Sequence, residues 1–147
     1  MRNQRGPGLR TVPKHDTVKL MTVSVRAPGK VNLYLSVGRP RADGYNPLAT
    51  VFQAVDLYDT VTVRPAEQFT LTMSGRGEGL PVDGTNLAIR AATMLSDYAG
   101  VDEGADIFIE KRIPVAGGMA GGSADAAGVL VALDRLSKRY PGGVTAL

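Results

Sequence analysis

The sequence predicts an α+β domain with antiparallel sheet content. Three observations carry this expectation. Short β-branched and apolar runs with two-residue alternation fill the stretch from Thr22 to Met73. Two segments with apolar residues about one helical turn apart follow, the first from Asn86 and the second over 123–139. A further alternating run, Asp106–Ile113, lies between those two segments. The composition fits a packed domain, with 44% apolar and 21% charged residues in 147. The absence of cysteine excludes a disulfide framework and a thiolate metal site, and the apolar runs are too short to span a bilayer. A cytoplasmic location is the expectation that remains.

The elements are read in order as follows. Thr22–Arg26, Asn32–Val37, Thr50–Leu57, Thr60–Arg64 and Phe69–Met73 are strands, with turn signals at Arg41-Ala42-Asp43-Gly44 and in the glycine-rich 75–79 stretch. Asn86, or Thr85 before it, caps a helix whose apolar stripe is Leu87, Ala91, Met94 or Leu95, and Tyr98, with Gly100 as its stop. The strand Asp106–Ile113 follows. A second helix begins near Ser123 and runs to Arg139, with Ala126, Leu130 and Leu133 beside Ala127 and Val131 as its expected buried rows. Pro141-Gly142-Gly143 closes it.

Charge is unevenly placed. Residues 1–20 hold five basic residues against Asp16, whereas the whole chain is only +3, so the remainder is slightly acidic. The first 21 residues read as a basic, disordered extension, and Met21 stands immediately before the first strand as an alternative start. An anion contact for this arm, including nucleic acid, is the competing reading.

The segment Pro114-Val115-Ala116-Gly117-Gly118-Met119-Ala120-Gly121-Gly122-Ser123-Ala124 joins a strand to a helix. A helix start offers unpaired N–H groups and the positive end of the macrodipole, and glycines let the backbone approach a ligand closely. Together they make an anion nest suited to a polyphosphate. Ser123 either caps the helix or places its hydroxyl near a phosphate or metal. Asp125, in the first turn, repels a phosphate unless a cation intervenes. Two known phosphate loops do not fit: no lysine precedes Ser123, and the glycine spacing is not G-x-G-x-x-G.

Pro114-x-x-x-Gly118-Met119-Ala120-Gly121-Gly122-Ser123-Ala124 resembles the phosphate loop of the GHMP kinases. A second motif, Ala27-Pro28-Gly29-Lys30-Val31-Asn32-Leu33-Tyr34-Leu35, is similar to the opening strand of that family. Arg41-Ala-Asp43-Gly44-Tyr45, Leu48-Ala-Thr50-Val-Phe52, Leu57-Tyr-Asp59 and Asp83-Gly-Thr-Asn86-Leu87 extend the likeness over about residues 22–137. The resemblance implies a ribosomal protein S5 domain 2-like fold for residues 22–147, an ATP-binding N-terminal kinase domain. It also implies transfer of the ATP γ-phosphoryl group, with Mg²⁺, to the 2-hydroxyl of CDP-methylerythritol in non-mevalonate isoprenoid synthesis. By the same resemblance Lys30 is the catalytic lysine. Asn32, Asp43, Tyr45 and Asn46 face the substrate, and residues 114–124 hold ATP. Asn46 stands where the family has histidine. The family's catalytic aspartate lies in a Gly-x-Asp-Val-Pro-like stretch beyond the second helix, and no such stretch occurs in these residues. The expectation is therefore a truncated chain without its C-terminal domain, inactive alone. The alternatives are another GHMP small-molecule kinase and a nucleic-acid-binding S5-like module.

Overall fold

The computed structural model describes residues 21–139. The basic arm and the Pro141-Gly142-Gly143 helix stop lie outside the described residues. The elements are β1 (Val23–Val37), β2 (Leu48–Ala66), β3 (Thr70–Gly75), α1 (Leu87–Ala99), β4 (Gly104–Lys111) and α2 (Gly121–Arg139). The expected α+β class holds. One four-stranded sheet has the order β1-β2-β4-β3. β1 pairs antiparallel with β2, β2 antiparallel with β4, and β3 parallel with β4 across the α1 connection. α2 packs on β1 and β2, and α1 packs on α2. Among the described residues no helix is long and apolar enough to cross a membrane.

Alternation builds the core. Val61 and Val63 of β2, Leu71 of β3, and Ile107 and Ile109 of β4 turn inward, against Ala88, Ile89 and Ala92 of α1 and Val129, Ala132 and Leu136 of α2. Each fully buried Val or Ile contributes roughly 1.5–3 kcal/mol. The α1 ends are those the sequence predicts. Asn86 Oδ1 accepts from Ala88 N at 2.9 Å, and Gly100 closes the helix in the left-handed region at φ 65°.

Three expectations need correction. Thr22–Arg26 and Asn32–Val37 are one strand, as are Thr50–Leu57 and Thr60–Arg64. Ladder pairing carries each strand through its Pro-Gly or polar interruption, and register shifts between Pro28 and Lys30 and between Asn32 and Tyr34 absorb the irregularity. The helix faces also differ. α1 buries Ala88, Ile89 and Ala92 and leaves Met94 and Tyr98 exposed. α2 buries Asp125, Gly128, Val129, Ala132 and Leu136 and leaves Leu130 and Val131 exposed. The reason is close approach. A Cβ added to Gly128 would lie 2.9 Å from Val61 Cγ2 and 3.3 Å from Ala27 Cβ, so the row with the smallest residues faces the sheet.

Beyond the covered part of the sheet, β1 and β2 continue as a two-stranded ribbon from Lys30↔Ala54 to Val37↔Leu48. Leu33, Leu35, Val37, Leu48 and Phe52 on this ribbon are exposed.

Candidate functional site

The glycine loop follows β4. Arg112 and Ile113 leave the strand, and Asp59 of β2 receives both freed amides on Oδ1, at 2.6 and 2.8 Å. The chain then turns through Pro114–Ala120 and enters α2 at Gly121. Ala116, Gly118 and Ala120 have φ of 57°, 71° and 56°. Glycine adopts this left-handed region freely, whereas each alanine there stores roughly 1–2 kcal/mol of strain, as functional loops often do. Ala124 N donates to Ala120 O at 2.9 Å, so the amides of Gly121, Gly122 and Ser123 are the unpaired donors of the helix start. Ser123 is the third residue of the helix and is exposed; it does not cap it. A cavity of about 390 Å³ opens over the loop, bounded opposite by Leu80, Pro81, Thr85, Asn86 and Leu87.

Lys30 ties the first motif to this loop. Its backbone N donates to Met119 O at 3.1 Å, and its Nζ donates to Gly118 O at 2.8 Å and Asn32 Oδ1 at 2.7 Å. Two of the three ammonium protons are thereby used, which leaves one for a ligand. The Phe52 ring centroid lies 5.5 Å from Nζ and adds a cation–π contact. Asn32 in turn donates to Thr50 Oγ1 at 2.7 Å, and Thr50 donates to Tyr34 O at 2.8 Å, which fixes the amide oxygen toward Lys30. Gly29 makes room for the loop: a Cβ there would lie 3.3 Å from Met119 Cε.

The residues of the 41–46 turn sit elsewhere. Asp43 Oδ1 accepts from Tyr45 N at 3.1 Å, Arg41 pairs with Asp43 at 2.8 Å, and Gly44 turns at φ 81°. Asp43 is thus a turn former. Tyr45 and Asn46 are exposed at the ribbon tip, about 20 Å along the strand from Lys30. The structure brings Lys30, Asn32 and residues 114–124 together and places Asp43, Tyr45 and Asn46 at the far end of the same ribbon.

Sequence reasoning missed two residues under the loop. Lys111 Nζ donates at 2.6 Å both to Asp59 Oδ2 and to Asp125 Oδ2, and all three side chains are buried. Lys111 is the cation that Asp125 requires. Asp125 Oδ1 is buried without a hydrogen-bond partner. Burial pushes the Asp125 carboxyl up to about 6; Lys111 offsets only part of this, and Asp59 adds to it. Burial also acts on Asp59, but the bonds from Lys111, Ile113 and Arg112 outweigh it and hold that carboxyl below its ordinary value. For Lys111 burial opposes the charge, and the two carboxylates overcome it and raise the ammonium pKa. The signal was present in the strand pattern: Lys111 continues the inward row Ala105, Ile107, Ile109. Among the described residues there is no cluster of three side chains able to hold a metal.

Residues 86–142 match the family described as GHMP kinases N terminal domain. The chain is 57% identical over 122 residues to 4-diphosphocytidyl-2-C-methyl-D-erythritol kinase of Kineococcus radiotolerans, covering 80% of this chain and 38% of that protein. It is 61% identical over 116 residues to the kinase of the same name from Mycolicibacterium smegmatis, covering 78% of this chain and 36% of that one. The chain thus spans well under half the length of these relatives. A crystal structure of 4-(cytidine 5'-diphospho)-2C-methyl-D-erythritol kinase superposes with a TM-score of 0.62 at 42% identity, over 82% of this chain and 42% of that one. Homoserine kinase from Cytophaga hutchinsonii, at 17% identity and a TM-score of 0.57, shares the fold.

Proposed function

We propose that this chain, which belongs to the GHMP kinase family by its N-terminal domain, is the ATP-binding part of a kinase that phosphorylates the 2-hydroxyl of 4-diphosphocytidyl-2-C-methyl-D-erythritol. The observation that carries this reading is the bond from Lys30 Nζ to Gly118 O, 2.8 Å long. It puts the ammonium at the edge of the anion nest, where an acceptor hydroxyl and a γ-phosphate would meet. In this role the backbone N–H groups of residues 121–123 bind phosphate oxygens, and the remaining proton of Lys30 neutralises charge that develops in transfer. The cavity wall of Leu80, Pro81 and Leu87 takes the apolar face of the nucleoside. Asp43, Tyr45 and Asn46 reach the cytidine end of a long substrate whose other end lies at Lys30, with Tyr45 offering a stacking face. Mg²⁺ is part of the proposal: the exposed Ser123 hydroxyl would help to hold it at the loop, where it would offset phosphate charge.

Transfer also needs a base for the hydroxyl proton. The Lys30 ammonium bonds to Asn32 Oδ1 and Gly118 O, neither of them a carboxylate. The 147-residue chain is therefore expected to bind ATP and to lack turnover by itself, the base being supplied from elsewhere in the whole protein. The test is calorimetric titration with Mg·ATP, alongside a kinase assay with 4-diphosphocytidyl-2-C-methyl-D-erythritol. Saturable binding is expected in the wild type and loss of binding in Gly122→Asp. Gly122 is exposed, and an added Cβ meets only Leu87 Cδ1 at 3.7 Å, so the variant folds. Its carboxylate favours the helix start but repels a phosphate. Equal affinity in the two proteins would remove the loop from the site.

A further inference from the structure

The glycine loop has few bonds of its own. Gly117 N reaches Pro114 O only at 3.4 Å, and three of its residues lie in the left-handed region. Such a segment cannot hold its shape unaided, so its two ends must be fixed by what they join. The entrance is fixed by Asp59, which takes the amides of Arg112 and Ile113. The exit is α2, and the connection between entrance and exit is Lys111, bonded at 2.6 Å to Asp59 on one side and at 2.6 Å to Asp125 on the other. The ammonium lies directly beside the first helical residue: a Cβ on Gly121 would be 3.4 Å from Lys111 Nζ.

We infer that Asp125, acting through Lys111, is a positioning residue that holds the glycine loop in register with the first turn of α2. The inference rests on the reading of the loop as a phosphate site. A polyphosphate at the loop attracts every nearby ammonium. Two carboxylates on Lys111 hold it as a fixed strut beneath the helix start, and Lys30, whose ammonium bonds go to neutral oxygens, keeps a proton to meet the ligand. The same demand accounts for a carboxylate kept in the interior with one oxygen unpaired, an arrangement unfavourable for folding by itself.

The experiment compares the 147-residue wild type with Asp125→Ala, Asp125→Asn and Val129→Ala by amide hydrogen exchange at pH 7 and by ADP titration. Val129→Ala removes apolar bulk from the core one helical turn beyond Asp125 and leaves all three charged side chains in place. Asp125→Ala is expected to speed exchange over residues 112–122 by about tenfold, with less than about threefold change at Val61–Val63 and Ile107–Ile109, and to weaken ADP binding by about tenfold. Asp125→Asn keeps an oxygen for Lys111 and is expected to stay within about threefold of wild type in both measurements. The inference is overturned if Asp125→Ala singles out 112–122 no more than Val129→Ala does, or if ADP affinity survives the loosening. Loosening of 112–122 by Asp125→Ala, where the wild-type chain itself binds no ADP, would support the strut and defeat the phosphate reading instead.

Discussion

Replacing Asp125 with asparagine changes the charge beneath the loop while sparing its geometry. In the wild type, Asp59, Lys111 and Asp125 are buried together with a net charge of −1 when both carboxyls are ionised. Asp125→Asn leaves a balanced Lys111–Asp59 pair, so no uncompensated charge is created. The Asp125 carboxyl is raised from 3.8 to about 6. That displacement corresponds to on the order of 2–3 kcal/mol. The sign follows from linkage. A carboxyl with a raised folded pKa contributes stability that is fully present below its unfolded value and lost as pH rises through about 6. Asp59, held below its ordinary value, acts oppositely: its contribution is present above 3.8 and lost only as pH falls through its lower folded value. Between pH 4 and 7 the Asp125 contribution is therefore the one in which the two proteins differ. Urea unfolding followed by far-UV circular dichroism at pH 4, 5, 6 and 7 measures it. Wild type is expected to lose on the order of 2 kcal/mol across that range relative to Asp125→Asn. His15 is present in both proteins and cancels in the comparison. Parallel profiles for the two proteins would refute the argument, because Asp125 would then titrate alike folded and unfolded.

Three further substitutions test the frame around the site. Asn86→Ala removes the cap of α1 and its bond to Pro81 O, and is expected to cost about 1 kcal/mol in thermal unfolding. Gly118→Ala meets no atom within 4 Å, so its expected cost of roughly 1–2 kcal/mol is backbone strain at φ 71° alone, and circular dichroism should show an unchanged fold. Gly104→Ala would put a Cβ 2.2 Å from the Gln68 carbonyl carbon; a loss of about 3 kcal/mol or more is expected in urea unfolding, since backbone must move.

The sequence alone determined the order of strands and helices, the Asn86 and Gly100 caps, the turn built on Asp43 and Gly44, and the place of the glycine loop at a helix start. Each of these rests on residues within one or two turns of one another, where alternation, capping and left-handed glycines act locally. Tertiary structure decided the rest. Counting apolar residues at helical spacing picked the Ala126, Leu130 and Leu133 row of α2 and mistook which face is buried, because depth of approach is set by the small Gly128 against Val61, a partner 67 residues away in sequence. The parallel pairing of β3 with β4 is likewise a choice made across α1. Lys111 lies unremarked within the alternating run Asp106–Ile113 until Asp59, 52 positions earlier, and Asp125, 14 later, close on it in the fold. The glycine loop and its place at a helix start were legible from its own residues. That Lys30 reaches it, and that three buried charges stand beneath it, follows only from packing, because long-range charge pairing leaves no periodic trace along the chain.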